Sequence, residues 1–368
     1  MKSKLWKSMV FAGFAAALVA GTARAQVTPA QGYEPIDDTP SVKVGGTIFA
    51  DYTYQDAPKG TDADGNSIHP NSFNVSRAYI NVFGNLSHLI SARVTSDVVR
   101  ESDGSGTSTS INGSYVYRLK YAYGQVNLDE WMGKGTWLRL GLNQTPYIDS
   151  VESVYRYRFQ GAIFVDREGF LTSSDLGLSA HYNFPANYGD IHLGVYNGEG
   201  YSKPEANNQK AFQIRASLRP APAVPVLKGL RLTGFYDADH YQQSDKKTRF
   251  VGALTFEHPY VNFGAEWLDA KDKATAAGSE VHAEGYSLWA TPRTPIGIEA
   301  LLRYDNLKPN KDGDAHKKRT IAGIAYWFPV QKGVSAALLA DYETVKYSNY
   351  SPSRTTEKRW ALHTLFSF

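Results

Sequence analysis

The stretch from Asp175 to Val195 reads DLGLSAHYNF-PANYGD-IHLGV, and its pattern predicts two β-strands joined by a short turn. In the first ten residues, apolar side chains alternate with polar or small ones, and the alternation resumes at Ile191 after the turn-forming residues PANYGD. Strict period two puts successive side chains on opposite faces of an extended chain, so each strand has two unlike faces. A soluble β-sandwich shows the same local pattern, so the number and spacing of such runs must decide the fold class.

The alternating pattern recurs along the whole chain after residue 41. Short breaks such as 85–88 and 329–333 alternate with long polar ones such as 55–72 and 145–174. This alternation is typical of bacterial outer-membrane barrels, which have short periplasmic turns and long extracellular loops. The sequence therefore predicts an all-β, transmembrane, antiparallel up-and-down β-barrel of 16 strands, with 14 or 18 strands as alternatives. The predicted strands are 42–54, 73–84, 89–99, 115–128, 136–144, 175–184, 190–197, 211–219, 229–238, 248–257, 261–269, 281–290, 296–305, 318–328, 334–343 and 357–368.

The first 25 residues have the composition of a secretory signal peptide. A lysine-rich start precedes the apolar run 9–20, and Ala23-Arg24-Ala25 supplies the small residues that signal peptidase requires. The apolar run is too short to span a bilayer as a helix, which needs about 20 residues. We expect cleavage near Ala25 and export to the outer membrane of a Gram-negative bacterium. Residues 26–41 then form a flexible periplasmic lead, and 42–368 form the barrel.

Charge and cysteine content exclude several classes of protein. The formal net charge of +3 includes Lys2, Lys4, Lys7 and Arg24, and no acid precedes Glu34, so the chain without its signal peptide carries −1. A near-neutral chain of this kind gives no indication of nucleic-acid binding. There is no cysteine, so disulfides and thiol chemistry are excluded. No cofactor or metal is expected from the sequence.

The C-terminus has the features of a final barrel strand. Its alternating face consists of Trp360, Leu362, Thr364, Phe366 and the terminal Phe368. A terminal aromatic residue of this kind resembles the signal that the barrel-assembly machinery recognises, so that machinery is an expected partner. Other aromatic residues near the predicted strand ends favour girdles at the membrane boundary, where outer-membrane lipids and lipopolysaccharide are the expected contacts. These residues are Tyr52, Tyr54, Phe256, Tyr260, Trp267, Trp289 and Tyr326 to Phe328.

Several short stretches resemble the phosphate-selective porins of the O and P type. They are FNVSRAY (73–79), LKYAY (119–123), LRLGLNQTPY (138–147), DLGL (175–178) and GVYNGEG (194–200). The resemblance implies a sixteen-stranded barrel, usually a homotrimer, with an infolded third loop and an arginine-lined lumen. The chain departs from that pattern because it lacks a lysine cluster for the outer mouth and is nearly neutral. Anion preference, general diffusion and cation preference therefore all remain open.

The predicted registers place most charged side chains on one face of the strands, opposite an almost uncharged face. Arginines that line a pore lower the barrier to anions, and facing acids hold them extended across the wall. In the strand 115–128, Arg118 and Lys120 share a face with apolar residues, so their orientation is left open. The candidate residues of the anion path on the strands are Arg77, Arg93, Arg139 and Arg215.

The long connection 145–174 is predicted to fold into the pore as its constriction. Its sequence Tyr155-Arg156-Tyr157-Arg158-Phe159 is too aromatic for an exposed loop tip, and loops longer than about 12–15 residues are usually functional or disordered. An extended segment would place Arg156 and Arg158 together on the side of the solute, with the three aromatic rings on the wall. The prediction is thus a porin for small hydrophilic solutes and anions. An outer-membrane barrel enzyme and an adhesin are the alternatives, and no nucleophile and base are spaced for catalysis.

Overall fold

The computed structural model describes residues 38–101, 113–241, 245–273, 275 and 277–368. The predicted signal peptide lies outside these residues, as does most of the predicted lead 26–41. In the described part of the chain, sixteen antiparallel strands form one closed barrel, and two short strands form a separate hairpin. No helix in it is long and apolar enough to cross a membrane.

Each barrel strand pairs with its neighbours in sequence. The strands are β1 (Ser41–Ala57), β4 (Asn71–Asn85), β5 (Ile90–Arg100), β6 (Tyr115–Asn127), β7 (Trp137–Gln144), β8 (Ser174–Asn183), β9 (Gly189–Tyr196), β10 (Ala211–Leu218), β11 (Leu230–Asp239), β12 (Lys246–His258), β13 (Val261–Lys273), β14 (Val281–Pro292), β15 (Ile298–Lys308), β16 (His316–Trp327), β17 (Ser335–Ser348) and β18 (Glu357–Ser367). Strand β1 pairs with β18 to close the barrel. The hairpin of β2 (Gly60–Thr61) and β3 (Ser67–Ile68) lies in the first long loop. All sixteen predicted strands are confirmed.

Helical structure occurs only in connections between strands in the described residues. It comprises α1 (Asp129–Met132), α2 (Ile148–Tyr155), α3 (Phe164–Arg167) and a 3₁₀ turn at Pro185–Asn187. The strict alternation of short and long connections has exceptions. The turn 219–229 between β10 and β11 is longer than the loops 240–245 and 274–280.

The outward face of the strands is apolar. Leu140, Leu178 and Ile324 are more than half exposed, whereas the neighbouring positions on the other face are polar or covered. An exterior of this kind suits the hydrocarbon of a bilayer. Trp267, Tyr326 and other predicted girdle residues are exposed, but Trp289 is 4% exposed because it points inward. Its ring covers Gly264 on the adjacent strand, where a Cβ would lie 2.4 Å from the indole.

A β-bulge resolves the ambiguous strand β6. Thr95 pairs with Tyr121 and Ser96 pairs with Leu119, which leaves Lys120 as the extra residue. A bulge shifts the alternation of side chains by one position. Tyr121 is consequently buried inside, Leu119 is exposed outside, and Lys120 is 7% exposed. Sequence alternation alone could not orient this strand, because its two halves follow different registers.

The last residue completes the closure of the barrel. The backbone of Phe368 exchanges hydrogen bonds with Gly46 of β1 at 2.9 and 3.0 Å. Its ring lies so close to Gly46 that a Cβ at this position would be 2.6 Å from the ring. The terminal aromatic residue therefore contributes to the seam between the first and last strands.

Candidate functional site

The connection 145–173 forms a structured segment, named here the inner segment. Helix α2 is amphipathic, because Ile148, Val151, Val154 and Tyr155 are buried on one face while Asp149 lies exposed on the other. The helix ends at Arg156, which adopts the left-handed conformation with φ of 65° and donates its backbone N–H to the backbone carbonyl of Glu152. This break differs from the extended chain that would have placed Arg156 and Arg158 side by side.

The apolar side of the inner segment packs on one part of the barrel wall. Its residues Tyr147, Tyr155, Tyr157 and Phe164 are 0% exposed and belong to one cluster with side chains of strands β11 to β18 and of β1. Tyr155 stacks edge-on against Trp289 at 5.2 Å between ring centres. Because the partners lie on the face opposite the exposed apolar exterior, these contacts are inside the barrel.

Hydrogen bonds hold the same side of the segment. The Tyr147 hydroxyl donates to Glu266 at 2.9 Å, and Asn262 donates to the carbonyl of Val154 at 2.8 Å. Arg303 donates to the carbonyl of Ala162 at 2.7 Å. Burial and the nearby Glu266 carboxylate raise the pKa of Tyr147 well above its usual value, so this hydroxyl keeps its proton. Backbone carbonyls of the segment that are shielded from water thus accept hydrogen bonds from side chains of the barrel wall.

Ion pairs attach the far end of the segment to β16, β17 and β18. Glu343 pairs with Arg167 of the segment at 3.3 Å, with Arg359 at 2.9 Å and with Arg319. Lys317 of β16 pairs with Glu168 at 2.7 Å. Each cation in this part of the interior is therefore in contact with a carboxylate.

The polar side of α2 faces the opposite wall, across a cavity of about 230 Å³. Asp149, Glu152 and Arg158 line it from the segment. The wall contributes strands β1 and β4 to β6 through Thr47, Tyr79, Asn81, Arg93, Thr95, Lys120 and Tyr121. We call this group of residues the basic cavity, because three cations face two carboxylates there.

The wall cations of the basic cavity have neutral hydrogen-bond partners in the described structure. Arg93 donates to Asn81 at 2.9 Å and to Thr95 at 3.0 Å, and its guanidinium lies 4.5 Å from the ring centre of Tyr121. Lys120 donates to the Tyr79 hydroxyl at 3.2 Å. A cation held by neutral groups and π-faces keeps its full charge toward the lumen.

Arg139 extends the same positive region along the wall. It donates to Gln125 at 2.7 Å and to Gln144 at 2.9 Å, and it stacks 3.6 Å from the ring centre of Trp137. Arg139 and Arg93 interact electrostatically, so both contribute positive charge to the same part of the interior. Glutamine oxygens orient the guanidinium without cancelling its charge.

Glu152 and Arg158 form the pair on the segment side of the basic cavity. Arg158 Nε lies 2.9 Å from Glu152 and Arg158 Nη2 lies 3.4 Å from Asp166. Burial raises the pKa of the Glu152 carboxyl to about 7, although the charge of Arg158 acts in the opposite direction. The net charge of the basic cavity consequently changes in the neutral pH range.

A second charged group adjoins the basic cavity. Asp97 is 0% exposed and pairs with both Arg77 and Arg118, and Arg118 also donates to the Tyr201 hydroxyl at 2.9 Å. Two guanidiniums that share one buried carboxylate leave a net positive charge on the wall.

The structure divides the six predicted path residues into two sets. Arg77, Arg93, Arg139 and Arg158 converge around the basic cavity. Arg156 instead pairs with Glu299 at 3.3 Å, and Arg215 is 4% exposed and pairs with Asp190 near the start of the inner segment. Lys120 and Arg118 were left unassigned by the sequence, and only the bulge in β6 orients them.

Comparison with known proteins finds similarity in structure but not in sequence. No family model matches the chain, and no curated protein matches it either. Solved structures match over 89–90% of this chain and 97–100% of theirs. They include an anion-selective porin from Comamonas acidovorans (TM-score 0.60, 12% identity), the outer membrane channel DcaP of Acinetobacter baumannii (0.60, 12%), and in-vitro folded OmpT, an outer membrane protein of Vibrio cholerae in a trimer form (0.59, 10%). At these identities the likeness establishes the barrel fold alone.

Proposed function

We propose that the chain is an outer-membrane porin, a passive water-filled channel with a preference for anions. The observation that carries this proposal is the basic cavity, where Arg93 and Lys120 face α2 with neutral partners only in the described structure. A sixteen-stranded barrel encloses a space wide enough for a channel. The inner segment narrows this space from one side, so a solute passes between α2 and strands β4 to β7. The channel excludes solutes by size and involves no catalysis.

Support for anion preference comes from the distribution of ion pairs. Arg319 and Arg359 near β16 to β18 are each paired with a carboxylate, whereas the cations at β5 to β7 are held by neutral side chains. Charges on the wall affect permeating ions most strongly at the narrowest point of the pore. In wider, water-filled regions, dissolved salt screens the wall charges from ions that are more than about 8–10 Å away. The residues of the proposed anion path are Arg77, Arg93, Lys120, Arg139 and Arg158, with Arg156 and Arg215 as anchors of the segment.

Location and partners belong to the same proposal. The apolar exterior supports insertion into the outer membrane, with lipids and lipopolysaccharide around it, after cleavage of the signal peptide near Ala25. A homotrimer is supported by the trimer form of the similar OmpT. The seam at Phe368 supports recognition of the last strand by the barrel-assembly machinery.

A weakly selective general-diffusion pore is the second candidate. It is favoured by Asp149, which lies on the polar side of α2 and interacts electrostatically with Lys120 and Arg93 of the wall. Selectivity for phosphate, which the sequence resemblance implies, is a finer form of the anion-preferring channel.

Planar-bilayer recording of the refolded protein across a KCl gradient tests these alternatives. An anion-directed reversal potential supports the proposal, and block by low phosphate supports its phosphate-selective form. A reversal potential near zero or directed to cations supports the general-diffusion pore. The absence of conductance from folded protein contradicts both.

A further inference from the structure

Three lysines form a charged patch on the outside of the barrel, at the end with the long loops. We call it the outer lysine patch, and its members are Lys318 of β16, Lys346 of β17 and Lys358 of β18. All three are exposed. Their sequence neighbours Arg319 and Arg359 pair with Glu343 inside the barrel. Because successive side chains of a strand point to opposite faces, the lysines point outward.

Strand register brings the three lysines together. Lys318 lies directly opposite Lys346. Lys358 lies opposite Thr344, two positions from Lys346 on the same face, so Lys346 and Lys358 are diagonal neighbours about 7–8 Å apart. Like charges directly opposite each other on one face of a sheet are destabilising. An anion bound between Lys318 and Lys346 offsets this repulsion.

Acidic side chains do not compensate the outer lysine patch in the described part of the chain. None of its three lysines forms an ion pair there. The carboxylate of Glu357, next to Lys358 in the sequence, accepts a hydrogen bond from Tyr347 at 2.7 Å instead. On the neighbouring strand β14, by contrast, the outward Glu284 pairs with Lys311 at 3.5 Å. The patch therefore keeps its positive charge toward the surroundings of the barrel.

The outer lysine patch lies at the level where lipid headgroups begin. Two positions from Lys358 on the same face, Trp360 is 57% exposed, and its ring centre lies 4.5 Å from that of Tyr342. Aromatic side chains of this kind mark the boundary between hydrocarbon and water. Further along the same strands the outward side chains are apolar, as at Ile324 and Leu362. The lysines thus lie just beyond the hydrocarbon, at the depth of lipid phosphates.

The opposite ends of the same three strands differ from the patch. Their exposed outward side chains are Tyr326, Leu338 and Phe366, which carry no charge. The end with the lysines is the end with the long loops, which is extracellular in bacterial barrels. The outer leaflet of that membrane consists largely of lipopolysaccharide, whose lipid A part carries phosphates on a sugar pair and several acyl chains.

We propose that the outer lysine patch binds the phosphate groups of lipid A from the surrounding leaflet, while the acyl chains lie against the apolar outside of β16 to β18. Lysine ammonium groups are compact cations on flexible stems, and they bind phosphate as point charges. Each lysine near an anionic lipid surface strengthens binding about fivefold. The inference deepens the proposed function and rests on its outer-membrane location, because it gives the barrel one specific lipid partner.

Native mass spectrometry of the refolded protein in detergent, titrated with bisphosphorylated lipid A, tests this site. EDTA is present, so that divalent cations do not bridge phosphates to carboxylates. We expect saturable binding that weakens at least tenfold in a patch variant with three substitutions, Lys318→Gln, Lys346→Gln and Lys358→Gln. Arginine at the same three positions should restore the binding. Lipid A without its phosphates should bind the wild type and the patch variant equally.

A matched control removes the same charge from the other end of the barrel. It replaces three exposed lysines of the short turns by glutamine, namely Lys134, Lys228 and Lys332. This control variant should bind lipid A within about twofold of the wild type, since the charge at the patch is unchanged. Circular dichroism confirms that each variant is folded.

Several results overturn the inference. Equal lipid A affinity in the wild type and the patch variant does so, as does equal weakening in the control variant, because net charge alone then attracts the lipid. If inorganic phosphate binds the patch as tightly as lipid A, the ligand is a free anion. If the patch variant changes only its oligomeric state, the surface is a contact between copies of the chain.

Channel recordings in bilayers without lipid A separate this inference from the proposed channel. A protein that conducts but shows no dependence of lipid A binding on the patch keeps the proposed channel and loses this site. A protein that binds lipid A through the patch but does not conduct contradicts the channel and leaves the site intact.

Discussion

The hydroxyl of Tyr157 donates a hydrogen bond to Glu299 of β15 at 3.0 Å, and it accepts one from Trp327 at 3.1 Å. Arg156 pairs with the other oxygen of Glu299, and its guanidinium lies 4.2 Å from the ring centre of Trp327. One carboxylate and one indole thus hold the first two residues after α2. This contact keeps the apolar side of the inner segment on the wall and leaves its polar side to the lumen.

Loss of the Tyr157 hydroxyl should loosen this anchor. Tyr157→Phe removes one partner from Glu299, which is 5% exposed, and the loss of such a bond costs about 1–3 kcal/mol. We expect the inner segment to detach more often, with faster hydrogen exchange at residues 148–160 and larger fluctuations of single-channel current. Tyr347→Phe, at a partly exposed tyrosine that donates to Glu357, is the matched control. Equal exchange in the two variants contradicts an anchoring role.

Removal of the inner segment tests its role as the constriction. Replacing residues 148–168 by a short Gly-Ser linker should raise single-channel conductance by roughly twofold or more, because conductance follows the open cross-section of the pore. Shortening the connection 309–315 at the same end of the barrel should leave conductance unchanged. A deletion variant that is folded and has wild-type conductance refutes the constriction.

The charge of the basic cavity should set the ion selectivity of the channel. Arg93→Gln and Lys120→Gln should each lower the ratio of anion to cation permeability by about twofold to fivefold, because a unit charge at about 4 Å in water contributes about 1 kcal/mol before screening. Arg359→Gln should have a much smaller effect, since Arg359 is paired with the Glu343 carboxylate, whereas Arg93 and Lys120 have neutral partners. Reversal potentials in a KCl gradient give these ratios. An equal shift in all three variants argues against a selective role of the basic cavity.

Titration of Glu152 should make the selectivity depend on pH. Its pKa of about 7 means that the carboxyl is largely neutral at pH 6 and charged at pH 8. The groups that face it are Arg158 beyond the end of α2, Asp149 on the same helix, Asp166 on α3, and Lys120 on β6. Protonation leaves Arg158 less compensated, so we expect stronger anion preference at pH 6 than at pH 8.

The variant Glu152→Gln serves as the control for that titration. It should show the anion preference of pH 6 at both pH values, because glutamine remains neutral. If the wild type and Glu152→Gln have the same pH profile, another group is responsible for any change.

The sequence predicted the barrel well, because apolar side chains toward the membrane alternate with polar ones toward the interior within each strand. The run from Leu176 to Val195 shows this, since every second side chain faces outward. The inward side of Arg77, Arg93, Arg139 and Arg215 was predicted by the same rule. The alternation failed for strand β6, because the extra residue Lys120 exchanges the inward and outward positions halfway along the strand.

The conformation of the inner segment could not be predicted from the sequence. The alternation of Tyr155, Arg156, Tyr157 and Arg158 suggested an extended chain, whereas α2 ends at Tyr155 and the left-handed Arg156 changes the direction of the backbone. The local signal for the helix was the spacing of Ile148, Val151 and Tyr155. It is too short to decide between helix and strand without the wall that buries it.

The sequence by itself determined the barrel class, the approximate bounds of its strands and the side of most charged residues, because these depend on local period-two patterns. The structure then selected 16 strands over the alternatives of 14 and 18. Only the tertiary structure decided which charges remain uncompensated, since Arg319 meets Glu343 while Arg93 meets Asn81. Such pairings join residues that are distant in the sequence, and they depend on strand register and on the position of the inner segment. Net positive charge at the basic cavity is therefore a property of the folded chain.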